Sequence, residues 1–332
     1  MKTTVILLIA LLVFSVAFPI LYTLRYTPPV AEDAPVQPEK LSAETSVDHD
    51  ITVRVKNGDK TADMKLDEYL IGVTAAEMPA GFETEALMAQ ATAARTYTLY
   101  KMTVAPSSKH PDADVCTDSA CCKAYIDEET MRSRWGEKYD EYRAKIENAV
   151  NGTDGECVVY GGEPILAVFH SSSAGMTENS GSVWNDQLPY LVSVFSPESG
   201  EEVPKFTETV EIPYEDFKKT VSARYPSVSF PAYKKSWITD IRTDASGRIE
   251  SANICGVTLT GGEVRSLFSL RSTAMTFSFT DDGVSITTTG YGHGVGMSQY
   301  GANALACDGM THEEILKWYY TGAEIGNAED YV

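Results

Sequence analysis

The chain has 332 residues and a formal net charge of −20 at pH 7, with 27 basic and 47 acidic side chains. Because nucleic-acid binding needs clustered lysine and arginine to neutralise phosphates, this acidity argues against a nucleic-acid partner and against any anionic polymer held by bulk charge. A neutral glycan remains an acceptable ligand. The length exceeds one average domain but does not by itself distinguish one large domain from two.

The N-terminus predicts a membrane anchor. Residues 3–24 carry no charge and are long enough to span a bilayer as a helix. No small-x-small cleavage site follows them, which favours an uncleaved anchor over a removed signal peptide. We predict a single-pass anchor over residues 1–26, with the rest of the chain on the outer face of the cell membrane. Residues 27–50, rich in proline, alanine and acids, have nothing to bury and are predicted to be a disordered tether.

The next part of the chain mixes strand and helix patterns. Residues 51–55 (ITVRV) alternate like a strand, and helical spacing follows over residues 67–78 and 83–102, the second stretch being rich in alanine. Residues 127–150 are predicted to form a long charged amphipathic helix on the surface. ECVVYGGEPILAVFHS, residues 156–171, predicts two strands joined by a Gly-Gly turn.

Further strand patterns recur between residues 237 and 289, interrupted by a short helix near residues 262–268. A final helix over residues 312–320 begins with a capping box formed by Thr311 and Glu314. Strands interspersed irregularly with helices indicate the α+β class, with irregular mixed sheets and packed helices that form a substrate cleft. We expect one catalytic domain over residues 51–328.

Three runs are predicted to form the walls of one active site. TGYGHGVGMSQYG, residues 289–301, is too rich in glycine for a regular element, where each glycine costs up to about 1 kcal/mol relative to alanine. It suits a loop whose backbone approaches a ligand closely. FHSSSAGMTEN, residues 169–179, has the same small and polar character around one histidine. VTAAEMP, residues 73–79, places a lone carboxylate, Glu77, among small apolar residues.

Glu77 has the features of a general acid. Helical spacing puts it on the apolar face of its helix, so the carboxylate is expected to be buried. Pro79 ends the helix one residue later, which leaves Glu77 in the last turn, where unpaired carbonyls make the helix dipole negative. Both effects favour the protonated form that a general acid requires. The alternative is a buried glutamate neutralised by an arginine, with Arg95 as the candidate partner.

Eight further side chains are predicted to bind substrate: Arg95, His170, Ser171, Ser173, Glu178, His293, Gln299 and Tyr300. The alternatives are structural. The arginine would instead form an ion pair, Glu178 would be a supporting partner or an exposed loop acid, and the glycine-rich run would be only a structural corner. A histidine beside a strand is also often structural. Trp184 and Tyr190 would either stack on sugars or belong to the core.

A cysteine-rich stretch predicts a metal site. His110, Cys116, Cys121 and Cys122 have the residue types and spacing of a tetrahedral zinc site. A disulfide between Cys116 and one of the adjacent cysteines is the alternative outside the membrane, and free thiols are a third. With four protein ligands no position stays open for water, so the zinc would be structural. The remaining cysteines, Cys157, Cys255 and Cys307, are predicted to be buried apolar residues.

Taken together, the runs resemble the stage II sporulation protein D family. The resemblance spans residues 51–325 and rests on three long segments: VTAAEMP with FETEALMAQATAARTY, FHSSSAGMTENS with WNDQLPYLVSVFSPES, and GYGHGVGMSQYGANALA with THEEILKWYYTGAEI. The chain departs from the family where Ala174-Gly175 replaces a frequent Gly-Gly. Some clostridial relatives hold zinc at the spacing of the cysteine cluster, with a histidine where this chain has Cys121.

The resemblance implies an activity. The family consists of peptidoglycan lytic transglycosylases that cut glycan strands lacking stem peptides. They work beside a peptide-removing amidase and a membrane partner during engulfment of the forespore, in the space between the mother-cell and forespore membranes. The catalytic glutamate of the family corresponds to Glu77, and no cofactor is required for the chemistry.

A single carboxylate is enough for this reaction. A glycosidase that adds water needs two carboxylates. In a lytic transglycosylase the muramoyl C6 hydroxyl is the nucleophile, and the product is a 1,6-anhydro sugar. Two other functions remain open from the sequence: a non-catalytic glycan-binding activator of a cell-wall amidase, and a zinc hydrolase that uses the cysteine cluster.

Overall fold

The computed structural model describes residues 46–184 and 186–332. The predicted anchor over residues 1–26 and nearly all of the predicted tether over residues 27–50 lie outside these ranges. No helix of the described ranges is long and apolar enough to cross a bilayer. The described residues form several small sheets packed with helices, which confirms the predicted α+β class.

The N-terminal half builds most of a core lobe, which we define as residues 46–200 together with residues 290–332. Its elements are α1 (Val47–Asp50), β1 (Thr52–Asn57), β2 (Lys60–Lys65), α2 (Leu66–Glu77), α3 (Thr84–Thr103), β3 (Val115–Cys116), α4 (Glu128–Trp135), α5 (Tyr139–Gly152), β4 (Glu156–Tyr160), β5 (Glu163–Pro164), β6 (Phe169–His170) and α6 (Ser180–Val183). Helix α3 is central and lies against α2, α5 and β4. Its alanines are buried and let these neighbours approach closely.

Residues 207–289 form an insert lobe with its own hydrophobic cluster. Its elements are β7 (Thr207–Pro213), α7 (Tyr214–Arg224), β8 (Ile238–Thr243), β9 (Ile249–Ile254), β10 (Val257–Thr260), α8 (Gly261–Leu267), β11 (Met275–Phe279) and β12 (Gly283–Thr289). Two antiparallel three-stranded sheets, ordered β10-β9-β8 and β11-β12-β7, enclose the rings of Phe217 and Trp237.

The chain then returns to the core lobe with β13 (Met297–Ser298), α9 (Gln299–Cys307), α10 (His312–Tyr319) and β14 (Glu324–Asn327). The remaining core sheets are ordered β2-β1-β3 and β14-β4-β5. Strand β13 runs parallel to β6, with Met297 opposite Phe169 and Ser298 opposite His170. This short pairing brings the glycine-rich run and the FHSSS run side by side, although the paired residues lie 128 positions apart in sequence.

Several predicted elements differ from the structure. The predicted helix over residues 127–150 is two helices, because Gly136 adopts a left-handed conformation (φ 53°) after α4. The second predicted strand of residues 156–171 is interrupted, since the N–H groups of Ala167 and Val168 bond to carbonyls two residues back. Strand β7 and helix α7, the first two elements of the insert lobe, were not predicted from the sequence.

The predicted boundary between tether and domain is wrong by five residues. Residues 46–50, assigned to the tether, include helix α1 and the fully buried Asp48. The carboxylate of Asp154 caps this helix, because it accepts hydrogen bonds from Ser46 Oγ and from the N–H groups of Val47 and Asp48. The folded domain therefore includes Ser46.

The start of α10 is held by a histidine between two acids. The ring of His312 bonds to Glu85 at 3.0 Å and to Glu156 at 2.9 Å, one through each nitrogen. Burial disfavours the charged ring, but these two hydrogen bonds outweigh burial and raise the pKa of His312 above 6.5. The imidazolium is therefore the form that the fold favours.

This geometry predicts a pH-dependent stability. Because the folded-state pKa of His312 is raised, its contribution is complete below the ordinary histidine pKa of about 6.5 and is lost as pH rises through the folded value. The difference in melting temperature between the native protein and His312→Gln should therefore be largest near pH 5.5 and shrink toward pH 8.5. Thermal unfolding followed by circular dichroism across this range measures it. A difference that stays constant with pH would contradict the assignment.

Candidate active site

Glu77 is the last residue of α2 and lies half-buried in the wall of a groove of about 800 Å³. Its Oε1 accepts a hydrogen bond of 2.8 Å from the backbone N–H of Ala124. Its carbonyl, left without a helical donor where α2 ends, accepts a bond of 2.9 Å from Nε2 of Gln299. Within the described ranges no donor reaches Oε2. The acid is therefore held in place with one oxygen available to a ligand.

Four of the predicted substrate-binding residues line this groove with Glu77: His170, Ser171, His293 and Gln299. Glu77 is the only acid among the described residues of the lining. Strand β6 positions His170 and the adjacent Ser171. Strand β13, parallel to it, leads directly into α9, which begins with Gln299. The groove is therefore formed where the three motif runs meet.

The glycine-rich run is a close-packed loop. Gly292 (φ 116°) passes over His170, so that a Cβ at this position would lie 2.7 Å from the histidine Cβ. Gly294 (φ 85°) passes over the guanidinium of Arg248, where a Cβ would lie 2.7 Å from Cζ. Both positions combine left-handed backbone with contact, which only glycine tolerates. The predicted reason for the glycines, close approach of the backbone, is correct at these positions, but the groups approached are protein side chains.

The two groove histidines are neutral. Burial lowers the pKa of His170 well below its usual range, and burial lowers that of His293 to about 3, helped by Lys123 and Arg265. Nδ1 of His170 donates to the carbonyl of Val295 at 3.2 Å, so Nε2 accepts from Ser173 Oγ at 2.7 Å. Neither ring can act as a general acid near neutral pH. Their place in the groove suits hydrogen bonding to a ligand.

Arg95 does not lie in the groove. Its side chain is fully buried, and its guanidinium bonds to the carboxylate of Asp48 at 2.6–2.9 Å. It also donates to the carbonyls of Val150 and Glu156. The prediction that Arg95 contacts Glu77 or a sugar is therefore not met, and the structural ion pair applies. The reason is that an Ala-rich central helix buries more than one face, which its spacing could not reveal.

Three other predicted residues, Ser173, Glu178 and Tyr300, are absent from the groove lining. Ser173 is fully buried against His170. Glu178 is buried, not exposed, and bonds to Ser246 Oγ of the insert lobe at 2.9 Å. Burial, together with the neighbouring Asp244, raises the pKa of Glu178 to about 7. The Tyr300 ring packs edge-on against Phe82 with centroids 4.9 Å apart.

Several groove residues were not predicted from the sequence, among them Tyr97, Lys101 and Lys123. Lys123 is only 7% exposed, and burial lowers the pKa of its ammonium to about 8, with the Glu77 carboxylate opposing that shift. No periodicity marks this lysine, which directly follows the cysteine cluster. Of the two aromatic candidates, Trp184 lines the groove and is 37% exposed, whereas Tyr190 is buried.

A buried carboxylate that was not predicted from the sequence, Glu198, connects the motif runs. Glu198 accepts hydrogen bonds from the N–H of Ser173 at 2.5 Å and from Ser196 Oγ at 2.6 Å, and it also bonds to Ser298 Oγ. Ser298 is in turn the N-cap of α9, the helix that carries Gln299. The only sequence feature that could have identified Glu198 is its position in the SPES segment, residues 196–199, which is part of the family resemblance. Glu198 therefore positions two walls of the groove.

The cysteine cluster is assembled. The ligand atoms of His110, Cys116, Cys121 and Cys122 all lie within 4.8 Å of one another. The Nδ1–H group of His110 donates to the carbonyl of Ala113 at 2.9 Å, which leaves Nε2 facing Cys122 Sγ at 3.2 Å. Such a second hydrogen bond fixes the tautomer and orientation of a ligating histidine. The donor set and its spacing fit a tetrahedral zinc ion.

None of the six cysteines forms a disulfide in the structure. Cys157 and Cys255 are buried, in agreement with the prediction that they are apolar core residues. The same prediction is wrong for Cys307, which is exposed at the end of α9. A helix of nine residues with a small apolar face leaves its last position in solvent.

Comparison with known proteins defines the class of the chain as a sporulation protein. The family profile described as Stage II sporulation protein matches residues 55–160. The chain is 36% identical over 268 residues to Stage II sporulation protein D of Bacillus subtilis (strain 168), which covers 80% of this chain and 76% of that protein. The protein of the same name from Bacillus amyloliquefaciens is 35% identical with the same coverage.

A more distant relative is the amidase enhancer of Bacillus subtilis (strain 168), 27% identical over 310 residues, which cover 77% of this chain and 40% of that protein. The similarity to the two sporulation proteins is high enough and long enough to decide membership. The chain belongs to the stage II sporulation protein D family, which confirms the resemblance drawn from its motifs.

Proposed function

We propose that the protein is a lytic transglycosylase that cleaves peptidoglycan glycan strands, without stem peptides, during engulfment. The observation that carries the proposal is the single acid among the described groove residues. Glu77 stands at a fixed helix end with Oε2 free of protein donors. Hydrolysis by a glycosidase needs a second carboxylate to activate water or to act as a nucleophile. An intramolecular attack needs only one.

The reaction uses Glu77 twice. As a protonated acid it gives its proton to the glycosidic oxygen while the bond from that oxygen to the muramoyl C1 breaks. The carboxylate then takes the proton of the C6 hydroxyl as the C6 oxygen bonds to C1, which closes the 1,6-anhydro ring and restores the acid. The N–H of Ala124 stabilises the carboxylate between the two steps through Oε1.

Groove residues would hold the strand in place. Neutral His170 and His293 supply hydrogen-bonding nitrogens, and the partly exposed Trp184 ring, whose centroid lies 5.3 Å from that of His293, offers a stacking surface for a sugar. The Gln299 amide holds the backbone of Glu77 and also lines the groove. These contacts place the acid against the bond to be cut.

Product analysis tests the activity. Purified glycan strands without stem peptides, incubated with the protein, should yield fragments that end in 1,6-anhydro-muramic acid and lack the mass of one added water. Mass spectrometry distinguishes these ends from the reducing ends of a hydrolase. Finding only reducing ends would refute the transglycosylase mechanism.

A second candidate is a glycan-binding activator of a cell-wall amidase. The 27% identity to a protein named amidase enhancer supports it. It is compatible with catalysis, because the same groove could bind a strand for an amidase that removes peptides. As partners we infer peptidoglycan strands, such an amidase and a membrane component of the engulfment machinery. We also infer attachment to the cell membrane through residues 1–26, with the domain on the outer face.

We further propose that His110, Cys116, Cys121 and Cys122 hold a structural zinc ion. All four positions would be filled by protein groups, so the ion would supply no catalytic water. It would instead fix the segment that leads to Lys123 and Ala124, the residue that bonds to Glu77. This role differs from that of a zinc hydrolase, in which chelation would stop the reaction with the fold intact.

Metal content and stability test the zinc proposal. Protein purified under reducing conditions should contain about one zinc ion per chain by elemental analysis. Cys122→Ser should lower the free energy of unfolding by several kcal/mol, because metal binding is coupled to folding. Cys307→Ser is the matched control, since its exposed thiol lies outside the cluster, and should change little. A metal-free, folded protein with an oxidised Cys116 would disprove the site.

A further inference from the structure

The groove holds a cation that no carboxylate of the described residues pairs with. Lys123 is 7% exposed, and its ammonium lies 3.5 Å from the centroid of the Phe169 ring and 4.4 Å from that of Tyr97. Within residues 46–184 and 186–332 its amine forms neither an ion pair with a carboxylate nor a hydrogen bond. A buried charge is costly unless it is paired and hydrogen-bonded, and aromatic faces compensate only part of that cost.

The described lining of the groove has more basic than acidic side chains, in contrast to the chain as a whole. The whole chain carries a net charge of −20, yet the described groove residues include two lysines, Lys101 and Lys123, and one acid, Glu77. Lys101 also lies beside aromatic rings, 5.6 Å from the centroid of Tyr97. A ligand that completes this site should carry an anionic group close to the acid. Because the overall charge repels polyanions, the recognition must be local.

We propose that Lys123 binds the lactyl carboxylate of the muramoyl residue whose bond Glu77 cuts. The inference rests on the proposed glycan-cleaving function. A muramoyl residue carries one ionisable group, the carboxyl of the lactyl ether on C3. That group is an anion on a strand without a stem peptide and a neutral amide when a peptide is attached. Lys123 would form a charge-assisted bond with the first and not with the second.

The position of Lys123 in the chain supports this role. Its neighbour Ala124 donates to Oε1 of Glu77. Two consecutive residues therefore hold the acid and present the ammonium. The backbone between them fixes how far the ammonium of Lys123 lies from the carboxylate of Glu77. Lys123 is a specificity-determining residue in this proposal, and Glu77 remains the catalytic one.

The experiment compares two substrates that differ only at the lactyl group. One is peptide-free glycan, and the other is the same preparation after its lactyl carboxylates have been converted to methylamides. Native protein should cleave the amidated strands with a kcat/KM about 10- to 100-fold lower, the factor expected for losing one bond between a charged pair. Lys123→Met should cut both substrates equally, at the low rate. Lys123→Arg should recover part of the preference.

Other outcomes have a definite meaning. Equal cleavage of both substrates by the native protein would overturn the proposal. So would a Lys123→Met variant that loses the same factor on both substrates, since that result assigns the lysine to positioning Ala124 and Glu77. A folded state confirmed by thermal unfolding is required of each variant, and methionine suits the contact with Phe169 and Tyr97.

Failure of the proposed function can be told apart from failure of this inference. If the native protein cleaves neither substrate, binding is measured instead, with Glu77→Gln and the same two glycan preparations in a sedimentation assay. If the carboxylate form binds more tightly than the methylamide form, and Lys123→Met removes this difference, Lys123 recognises the lactyl carboxylate even though the groove is not catalytic. Equal binding of both forms would overturn it.

Discussion

Replacing Glu77 by glutamine is expected to lower the rate of strand cleavage by about 1,000-fold or more, because the proposed mechanism uses this one side chain as both acid and base. Glutamine is nearly isosteric, and its carbonyl oxygen can still accept the hydrogen bond from the N–H of Ala124. The fold and the binding of glycan should therefore persist. The rate is measured from the release of anhydro-muramoyl ends by mass spectrometry, and the fold from thermal unfolding.

Glu68→Gln is the matched control for this loss. It makes the same chemical change on the same helix, but at an exposed position in the first turn of α2. Its activity should stay within about twofold of the native value, as is usual for an exposed surface substitution. If Glu77→Gln kept more than a few per cent of the native rate, another group would have to supply the proton and the single-acid mechanism would be wrong.

Replacing Asp48 by asparagine is expected to lower the free energy of unfolding by about 3–5 kcal/mol. The Arg95 guanidinium has no exposed surface and the Asp48 side chain is 1% exposed, so the variant leaves a buried cation without its counter-ion. Urea unfolding followed by circular dichroism measures the change. Asp50→Asn, at an exposed position two residues on, should cost much less.

Truncation gives an independent check of the same pair. A chain that begins at residue 46 keeps helix α1 and its bonds to Asp154, whereas one that begins at residue 51 lacks Asp48. The first should unfold at nearly the same urea concentration as the full chain, and the second at a clearly lower one. Equal stability of both truncated chains would show that the ion pair contributes little.

The parts of the site that the sequence predicted share a physical signature. Glu77 was found because a proline fixes the end of its helix, and His170 and His293 were found because glycine and serine runs exclude regular elements. These signals are local in the chain. The parallel pairing of β6 with β13, which joins two of the runs, is not local and was not predicted; the sequence predicted only that the runs share one site.

What the sequence could not reveal depends on contacts between distant segments. Lys123 is buried because Phe169, 46 residues later, covers its amine. Arg95 was misassigned because the residue that neutralises it, Asp48, lies in a stretch whose composition resembles a tether. The carboxylate of Glu198 gains its role only when three serines from separate segments gather around it. In each case the position of a charged residue depends on a partner that the periodicity of the sequence does not identify.

The buried pair of Asp48 and Arg95 also has a mechanical meaning. Tension applied at the start of α1 reaches the fold first where Ser46 and Val47 bond to Asp154, and then at Asp48. From there the bonds of Arg95 to the carbonyls of Val150 and Glu156 spread the load into α5 and β4. A second route runs through His49 of α1, whose ring bonds to Asp67 at 3.0 Å in the first turn of α2, the helix that ends at Glu77. Tension on α1 is therefore shared among α5, β4 and the first turn of α2, and that turn is at the opposite end of the helix from Glu77.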